Sequence, residues 1–336
     1  MDLDVVFLGT SGSAPTARRS PSALLVRRGG ERLLFDCGEG TQRQLLQSSV
    51  GLVDLHEVFL THFHADHFLG LPGMLKTFAL RGRDVPLTIF GPPGLRELFA
   101  ELRRIVGKLT YPVELAEVRA GDALERVGYK LLVFPVTHGA AAVGYALVEE
   151  PRPGRFDVDA ADALGVPPGR ERGALQRGES ITLADGRTLT PDAVLGPARS
   201  GRTIVYPGDT TPSEVVRALA EGADLLVHEA TFGADESERA AETMHSTATQ
   251  AAEVARDSGV RMLALTHVSP RYFGPELARE ARETFANTVV PRDFDVIELP
   301  FPERGEPVLV KGGALAEREP ALARPADLVG ERDLRQ

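Results

Sequence analysis

Three imidazoles and one carboxylate crowd a single turn at His62-Phe63-His64-Ala65-Asp66-His67. The turn follows a short apolar run, Val58-Phe59-Leu60, and precedes a segment, Phe68 to Leu80, whose apolar residues recur at helical spacing. Neutral imidazole and ionised carboxylate are good ligands for a borderline cation such as zinc. The bland reading, a solvated histidine-rich loop, weakens once the rest of the chain is read, because similar groups recur downstream.

The chain has eight histidines. Six of them, with Asp66 and Asp209, lie at or just past the carboxyl end of an apolar run. His138 follows Leu131 to Thr137, Asp209 follows Ile204 to Gly208, His228 ends Leu225-Leu226-Val227, and His267 follows Met262 to Thr266. Loops at the carboxyl ends of strands converge while the sheet stays rigid, so active groups of open α/β sheets gather there. A set this large suggests two ions about 3.5–4 Å apart rather than one. The expected division puts His62, His64 and His138 on one ion and Asp66, His67 and His267 on the other. Asp209 bridges them. Such an imidazole-rich pair of cations would let a shared water ionise near neutral pH.

His245, in Met244-His245-Ser246-Thr247, opens a helical segment. It is either an ordinary residue at a helix start or an imidazole that donates a proton to a leaving oxygen. On the second reading Glu229 orients it and raises its pKa. His56 belongs to the surface.

These residues need elements to hold them. Asp4 to Gly9, Ser22 to Val26 and Arg32 to Asp36 read as strands, and Glu39 to Ser48 as a helix. Strand and helix then alternate to Val106, residues 111–150 read as β-rich with Val113 to Glu117, Tyr129 to Val136 and Ala142 to Glu149, and alternation returns over residues 202–300 with strands at Thr203 to Tyr206, Asp224 to His228, Met262 to Thr266 and Asp295 to Leu299. That is a layered α/β domain. Residues 150–198 break the pattern with glycine and proline and read as an excursion with too little apolar content for a core of its own. From Leu164 to Gly178 it carries three arginines against one glutamate. Its other reading is a floppy insertion. In the loop Thr10 to Pro21, Arg18 and Arg19 are either phosphate contacts or solvated side chains. Past about Pro302 the periodicity stops, and the chain from about Gly312 is expected to be poorly ordered.

The chain's 336 residues suit one large domain or two ordinary ones, and 43% hydrophobic with 26% charged residues is globular composition. No apolar run approaches the roughly 20 residues of a membrane span, and the acidic start lacks a basic leader. One cysteine, Cys37, excludes an internal disulfide and fits a reducing cytoplasm. Cys37 is expected to be packed rather than reactive. The net charge of −10 counts against a wrap-around nucleic-acid binder, though not against a nucleic-acid enzyme with local arginine clusters.

The histidine signature, with His138, Gly208-Asp209-Thr210 and Thr266-His267, resembles the metallo-β-lactamase superfamily. Several stretches are more specific: Phe7-Leu8-Gly9-Thr10, Phe35-Asp36-Cys37-Gly38-Glu39-Gly40-Thr41-Gln42, His228-Glu229-Ala230-Thr231, Met244-His245-Ser246-Thr247 and Thr266-His267-Val268-Ser269-Pro270-Arg271-Tyr272. Together they resemble the ribonuclease Z (tRNase Z) family, from Leu3 to about Pro302. The resemblance implies a four-layer αββα sandwich over residues 1–302, with 150–198 as an inserted tRNA-binding arm and 303–336 as a C-terminal tail. It implies a cytoplasmic enzyme with two Zn2+ per subunit that cuts precursor tRNA, leaving a 3′-OH on the tRNA and a 5′-phosphate on the trailer. Asp66 would be proton acceptor as well as ligand, and His245, backed by Glu229, proton donor. Arg18, Arg19, Arg170, Arg172, Arg177 and Arg271 would contact substrate, in a homodimer whose arm holds tRNA for the other subunit. The first loop departs from the family's Pro-x-Lys-x-Arg-Asn, reading Pro15-Thr16-Ala17-Arg18-Arg19-Ser20. A phosphodiesterase on small diesters and a noncatalytic RNA-binding protein are the alternative readings.

Overall fold

A computed structural model of the chain describes residues 2–52 and 54–312. Strand alternation builds its centre. In the strand Leu3–Gly9, Leu3, Val5 and Phe7 point one way and Val6 and Leu8 the other, and both sets are buried. A strand apolar on both sides must be covered on both sides.

Two sheets satisfy that demand. The first has eight strands. Val308–Val310, Val296–Glu298, Leu3–Gly9, Ala23–Arg28 and Glu31–Phe35 run antiparallel; Glu57–Phe59, Leu87–Gly91 and Val113–Glu117 then continue parallel. The second has seven, ordered Thr288–Val289, Leu263–Thr266, Leu225–Glu229, Thr203–Tyr206, Val143–Glu149, Tyr129–Pro135 and Ala123–Arg126. Its first four are parallel and the rest antiparallel.

One core lies between the sheets, joining Phe7, Phe35, Phe59 and Phe90 of the first to Tyr145, Tyr206 and Val227 of the second. Phe59 stacks on Phe35 and Phe90 at ring separations of 5.0 and 4.7 Å. A second core packs the first sheet against the helices Thr41–Gln47, Gly70–Leu80 and Leu95–Val106. A third packs the other sheet against Glu214–Leu219, Ala248–Ser258 and Gly274–Thr284. The result is the four-layer αββα sandwich. Cys37 is fully buried in the second core, and burial pushes its thiol up to about 12, so it packs and does not react.

Two expectations need correction. The excursion at 150–198 does have a core. Phe156, Ala161, Leu164, Val166, Leu175, Ile181, Leu183, Leu189 and Val194 pack together around the helices Val158–Ala163 and Arg170–Gln176 and the ribbon of Ile181–Thr182 with Thr188–Leu189. These residues are sparse in sequence, and only the folding back of the ribbon brings them together. The chain past Pro302 is not all tail: Val308–Val310 adds an edge strand to the first sheet through Val296–Glu298. Tail residues 313–336 lie outside the described residues.

Candidate metal centre

The expected ligands arrive from loops at the carboxyl ends of four strands and meet at one end of the sandwich. Nε2 of His62 lies 3.0 Å from Nδ1 of His64, and Nε2 of His138 lies 3.1 Å from that same atom. Nε2 of His267 lies 3.1 Å from Oδ2 of Asp66 and 3.4 Å from Nε2 of His67. Oδ2 of Asp209 stands between these groups, 3.8, 3.3 and 3.4 Å from the Nε2 atoms of His62, His67 and His267. The ligand atoms of His62, His64, His138 and Asp209 lie within 4.8 Å of one another, as do those of Asp66, His67 and His267.

Backbone geometry aims these groups. Asp209 follows Gly208 at φ 70°, where an added Cβ would stand 2.9 Å from the Thr61 methyl carbon, so only glycine fits. His267 is itself left-handed, at φ 55°, a conformation a non-glycine residue adopts at a cost and typically at a functional position. Met244, at φ 58°, turns the chain just before His245. The loop Thr10 to Pro21 is tied beside His267 by Gly12 N–H to Val268 O (3.1 Å) and Val268 N–H to Thr10 O (3.0 Å). From there Ser13 N–H donates to Oδ2 of Asp66 at 2.8 Å.

The outer hydrogen bonds fix which ring nitrogen faces inward. Nδ1 of His67 donates to Oδ2 of Asp36 at 2.8 Å, Nδ1 of His267 to Oγ1 of Thr231 at 2.8 Å, and Nδ1 of His138 to the Met244 carbonyl at 3.2 Å. The Thr61 hydroxyl donates to Asp36, so its oxygen accepts from Nδ1 of His62 at 3.0 Å. Each of these four rings therefore turns a lone-pair nitrogen toward the cluster. The Nε2 lone pairs of His67 and His267 face each other at 3.4 Å and repel unless a cation lies between them. The donor set fits divalent ions.

Electrostatics agree. Burial would raise Asp209, but the surrounding imidazoles of His267, His67 and His62 hold it well below the usual carboxylate range. His62 is pushed down to about 2, first by burial and then by the neighbouring His67. Burial also disfavours charge on His67, yet Asp209 and Asp36 raise it well above its ordinary value. The buried carboxylates thus draw positive charge into the cluster.

His245 sits beside the ligands without joining either group of imidazoles. Its Nδ1 lies 2.8 Å from Oε1 of Glu229 and 3.9 Å from Oδ2 of Asp209. Glu229 is buried, held by the Thr210 and Thr231 amides and by the Thr231 hydroxyl at 2.6 Å. Burial alone would favour a neutral His245 ring; the hydrogen bond and charge of Glu229 outweigh it and raise the ring to about 9. His228, counted among the strand-end histidines, is not in the cluster. Its ring is fully buried with Nδ1 donating to the Glu229 carbonyl at 2.8 Å, while the next residue, Glu229, faces the site. His56 is exposed, as expected.

Asp36, Thr61, Thr231 and Tyr206 were missed as parts of the site. Asp36 accepts from Thr61, His67 and Tyr206 and organises two ligands at once. It also ends an apolar strand, so the strand-end rule used for the histidines would have found it.

The arginines fare unevenly. Arg18 is exposed and lines, with Arg19, Arg43 and Arg292, a cleft of about 700 Å³. Arg19 holds the loop itself, donating to Thr10 Oγ1 (2.6 Å) and the Pro291 carbonyl (2.8 Å). Arg271 pairs with Glu236 at 2.8 Å. In the arm, Arg172 is engaged internally by Asp162 and the Val166 carbonyl, and Arg177 pairs with Glu179 at 2.9 Å. Both acids flank the stretch read as basic, so its local positive charge is largely offset. Arg170 is exposed.

Residues 16–267 match the family model described as the metallo-beta-lactamase superfamily. The chain is similar to ribonuclease Z of Methanosarcina acetivorans, 45% identical over 303 residues, covering 89% of this chain and 99% of that one. Ribonuclease Z of Myxococcus xanthus is 48% identical over 303 residues, covering 89% and 98%. Among solved structures, human tRNase Z, short form, superposes with a TM-score of 0.64 at 27% identity, covering 88% of this chain and 99% of that one.

Proposed function

The chain belongs to the ribonuclease Z family of the metallo-beta-lactamase superfamily, and on that premise we propose that it is the metal-dependent endoribonuclease that matures tRNA 3′ ends. It cuts precursor tRNA past the discriminator region, leaving a tRNA 3′-OH and a trailer with a 5′-phosphate. The observation that carries this reading is the convergence of seven metal-type ligands beside a Glu229–His245 pair. No helix among the described residues is long and apolar enough to cross a membrane, and the single cysteine suits a cytoplasmic enzyme.

His62, His64 and His138 would hold one Zn2+, Asp66, His67 and His267 the second, and Asp209 both. When bound, the ions polarise the scissile phosphate and lower the pKa of an attacking water. Asp66 accepts that water's proton, its carboxylate aimed by the Ser13 amide. His245 turns Nδ1 to Glu229, so its Nε2 is the nitrogen that protonates the departing 3′ oxygen. Arg18, Arg43 and Arg292 give the RNA backbone a cationic wall on the cleft beside the first loop. The arm reads the folded tRNA by shape and phosphate, through Arg170 and Arg177 rather than Arg172. The enzyme works as a homodimer in which each arm serves the partner's site.

Glu229→Gln should move the alkaline limb of the kcat–pH profile. His245 must be protonated to donate, so activity falls as pH rises through its pKa. Glu229 raises that pKa; removing its charge lowers it, and the limb shifts to lower pH by about 1–3 units. An unmoved limb would remove Glu229 from this role.

The function itself is tested by incubating the metal-loaded protein with an unprocessed tRNA precursor and mapping the cut at nucleotide resolution. One cut near the discriminator with the stated ends is expected. An intact precursor, with small phosphodiesters cleaved, would favour the small-diester reading.

A further inference from the structure

We propose that Glu303 fastens the arm and sets the direction in which it points. The arm grows from the second sheet, leaving Val143–Glu149 and returning into Thr203–Tyr206. Its neck is only two antiparallel legs. They are bridged at Arg152 with Arg199 and at Phe156 with Leu195, and bonded by Gly196 N–H to the Arg155 carbonyl at 2.9 Å. They touch so closely that a Cβ on Gly154 would fall 1.9 Å from the Gly196 oxygen. A two-legged neck resists stretching but swings easily about its root.

One carboxylate holds both legs at that root. Oε1 of Glu303 accepts from Nη1 of Arg152 at 2.8 Å and from Nη1 of Arg199 at 3.1 Å, while Oε2 accepts from Nη2 of Arg152 at 3.0 Å. The hydrogen bond from Arg152, foremost, pulls the Glu303 carboxyl down to about 2. The Arg152 guanidinium also lies over the Phe301 ring, 3.4 Å from its centroid, with that of Arg202 at 4.0 Å.

Glu303 and Phe301 do not belong to the arm's own sheet. They lie in and beside the short turn Pro302–Arg304, which follows Val296–Glu298 of the first sheet. An arm rooted in one sheet is therefore pinned to the other. Arg202, at the end of the returning leg, extends the fastening by donating to the Leu299 carbonyl at 2.8 Å and to Glu149. An ordinary exposed ion pair would do little. A bidentate pair over an aromatic ring, shared by two legs, restricts direction as well as distance. A positioned substrate gains rate only where its geometry is held, so a swinging arm would weaken capture of a large substrate and leave the chemistry intact. Glu303 is thus a positioning residue, and the inference rests on the arm's role in holding tRNA.

Four proteins test it: Glu303→Gln, Glu303→Asp, Arg199→Glu, and a chain in which residues 155–195 are replaced by a short glycine linker. Each is assayed on precursor tRNA, on a small chromogenic phosphodiester, and by thermal melting. Glu303→Gln and Arg199→Glu should raise KM for precursor tRNA about three- to tenfold, with kcat and diester hydrolysis within about twofold of the parent, and Glu303→Asp should recover part of the loss. An unchanged KM in Glu303→Gln, beside lost precursor cleavage in the deletion, overturns the fastener and leaves the arm's role standing. Unimpaired precursor cleavage by the deletion overturns both. Diester hydrolysis and melting temperature falling together with tRNA cleavage would make Glu303 a merely structural residue and overturn the proposal.

Discussion

Asp66→Ala should lose at least about a thousandfold in precursor cleavage, because in the proposed mechanism it removes a metal ligand and a proton acceptor in one step. General-base catalysis alone is worth about 10²–10⁴-fold. The ligand loss adds to this. Oδ2 of Asp66 is 3.1 Å from Nε2 of His267 and 3.7 Å from that of His67, so without it the second ion keeps two imidazoles and a share of Asp209. Asp66→Asn keeps the size and an oxygen for the Ser13 amide, yet its amide neither accepts the proton nor matches a carboxylate as ligand. It should be nearly as inactive. Asp66 lies at the mouth of the site outside every apolar core, so the metal-free protein should melt as the parent does. Residual activity within tenfold of the parent would remove Asp66 from both roles.

Replacing residues 155–195 with a short linker should abolish cleavage of precursor tRNA while sparing a small chromogenic phosphodiester. Physical separation is the reason. The arm's nine clustered apolar residues pack on one another, apart from the three cores of the sandwich. Its removal leaves every ligand loop in place, since His138 and Asp209 follow strands that lie outside the cut. The contact of Gly154 with Gly196 lets a short linker close the neck. In the intact enzyme, tRNA binding through arm and cleft arginines should weaken as salt rises. Equal loss of both activities would mean the deletion damaged the sandwich. Unimpaired tRNA cleavage would remove the arm from substrate binding.

The catalytic end was legible because its physics is local. A metal ligand needs a specific residue type, and a strand end announces itself as an apolar run that stops; His62, His138, Asp209 and His267 each combine the two signals. Asp36 carries the same signal but was masked by its place between apolar strand and packed cysteine, and its work is done through other side chains. His228 shows the converse limit. It meets the strand-end rule, yet alternation within Leu225–Glu229 gives the site to Glu229 instead. The arm was the least legible part. Its core residues are separated by turns and polar stretches, so no window of sequence displays a period. Its arginines looked free because their partners Asp162 and Glu179 fall just outside the basic stretch. Charge counted along a chain says little about charge left after folding.

Metal content decides the central claim. Protein purified in active form should carry close to two divalent ions per chain by elemental mass spectrometry. Stripping them with a chelator should abolish precursor cleavage, and returning zinc should restore it. Fully active protein with no divalent ion, indifferent to chelator, would contradict the reading of these imidazoles and carboxylates as ligands.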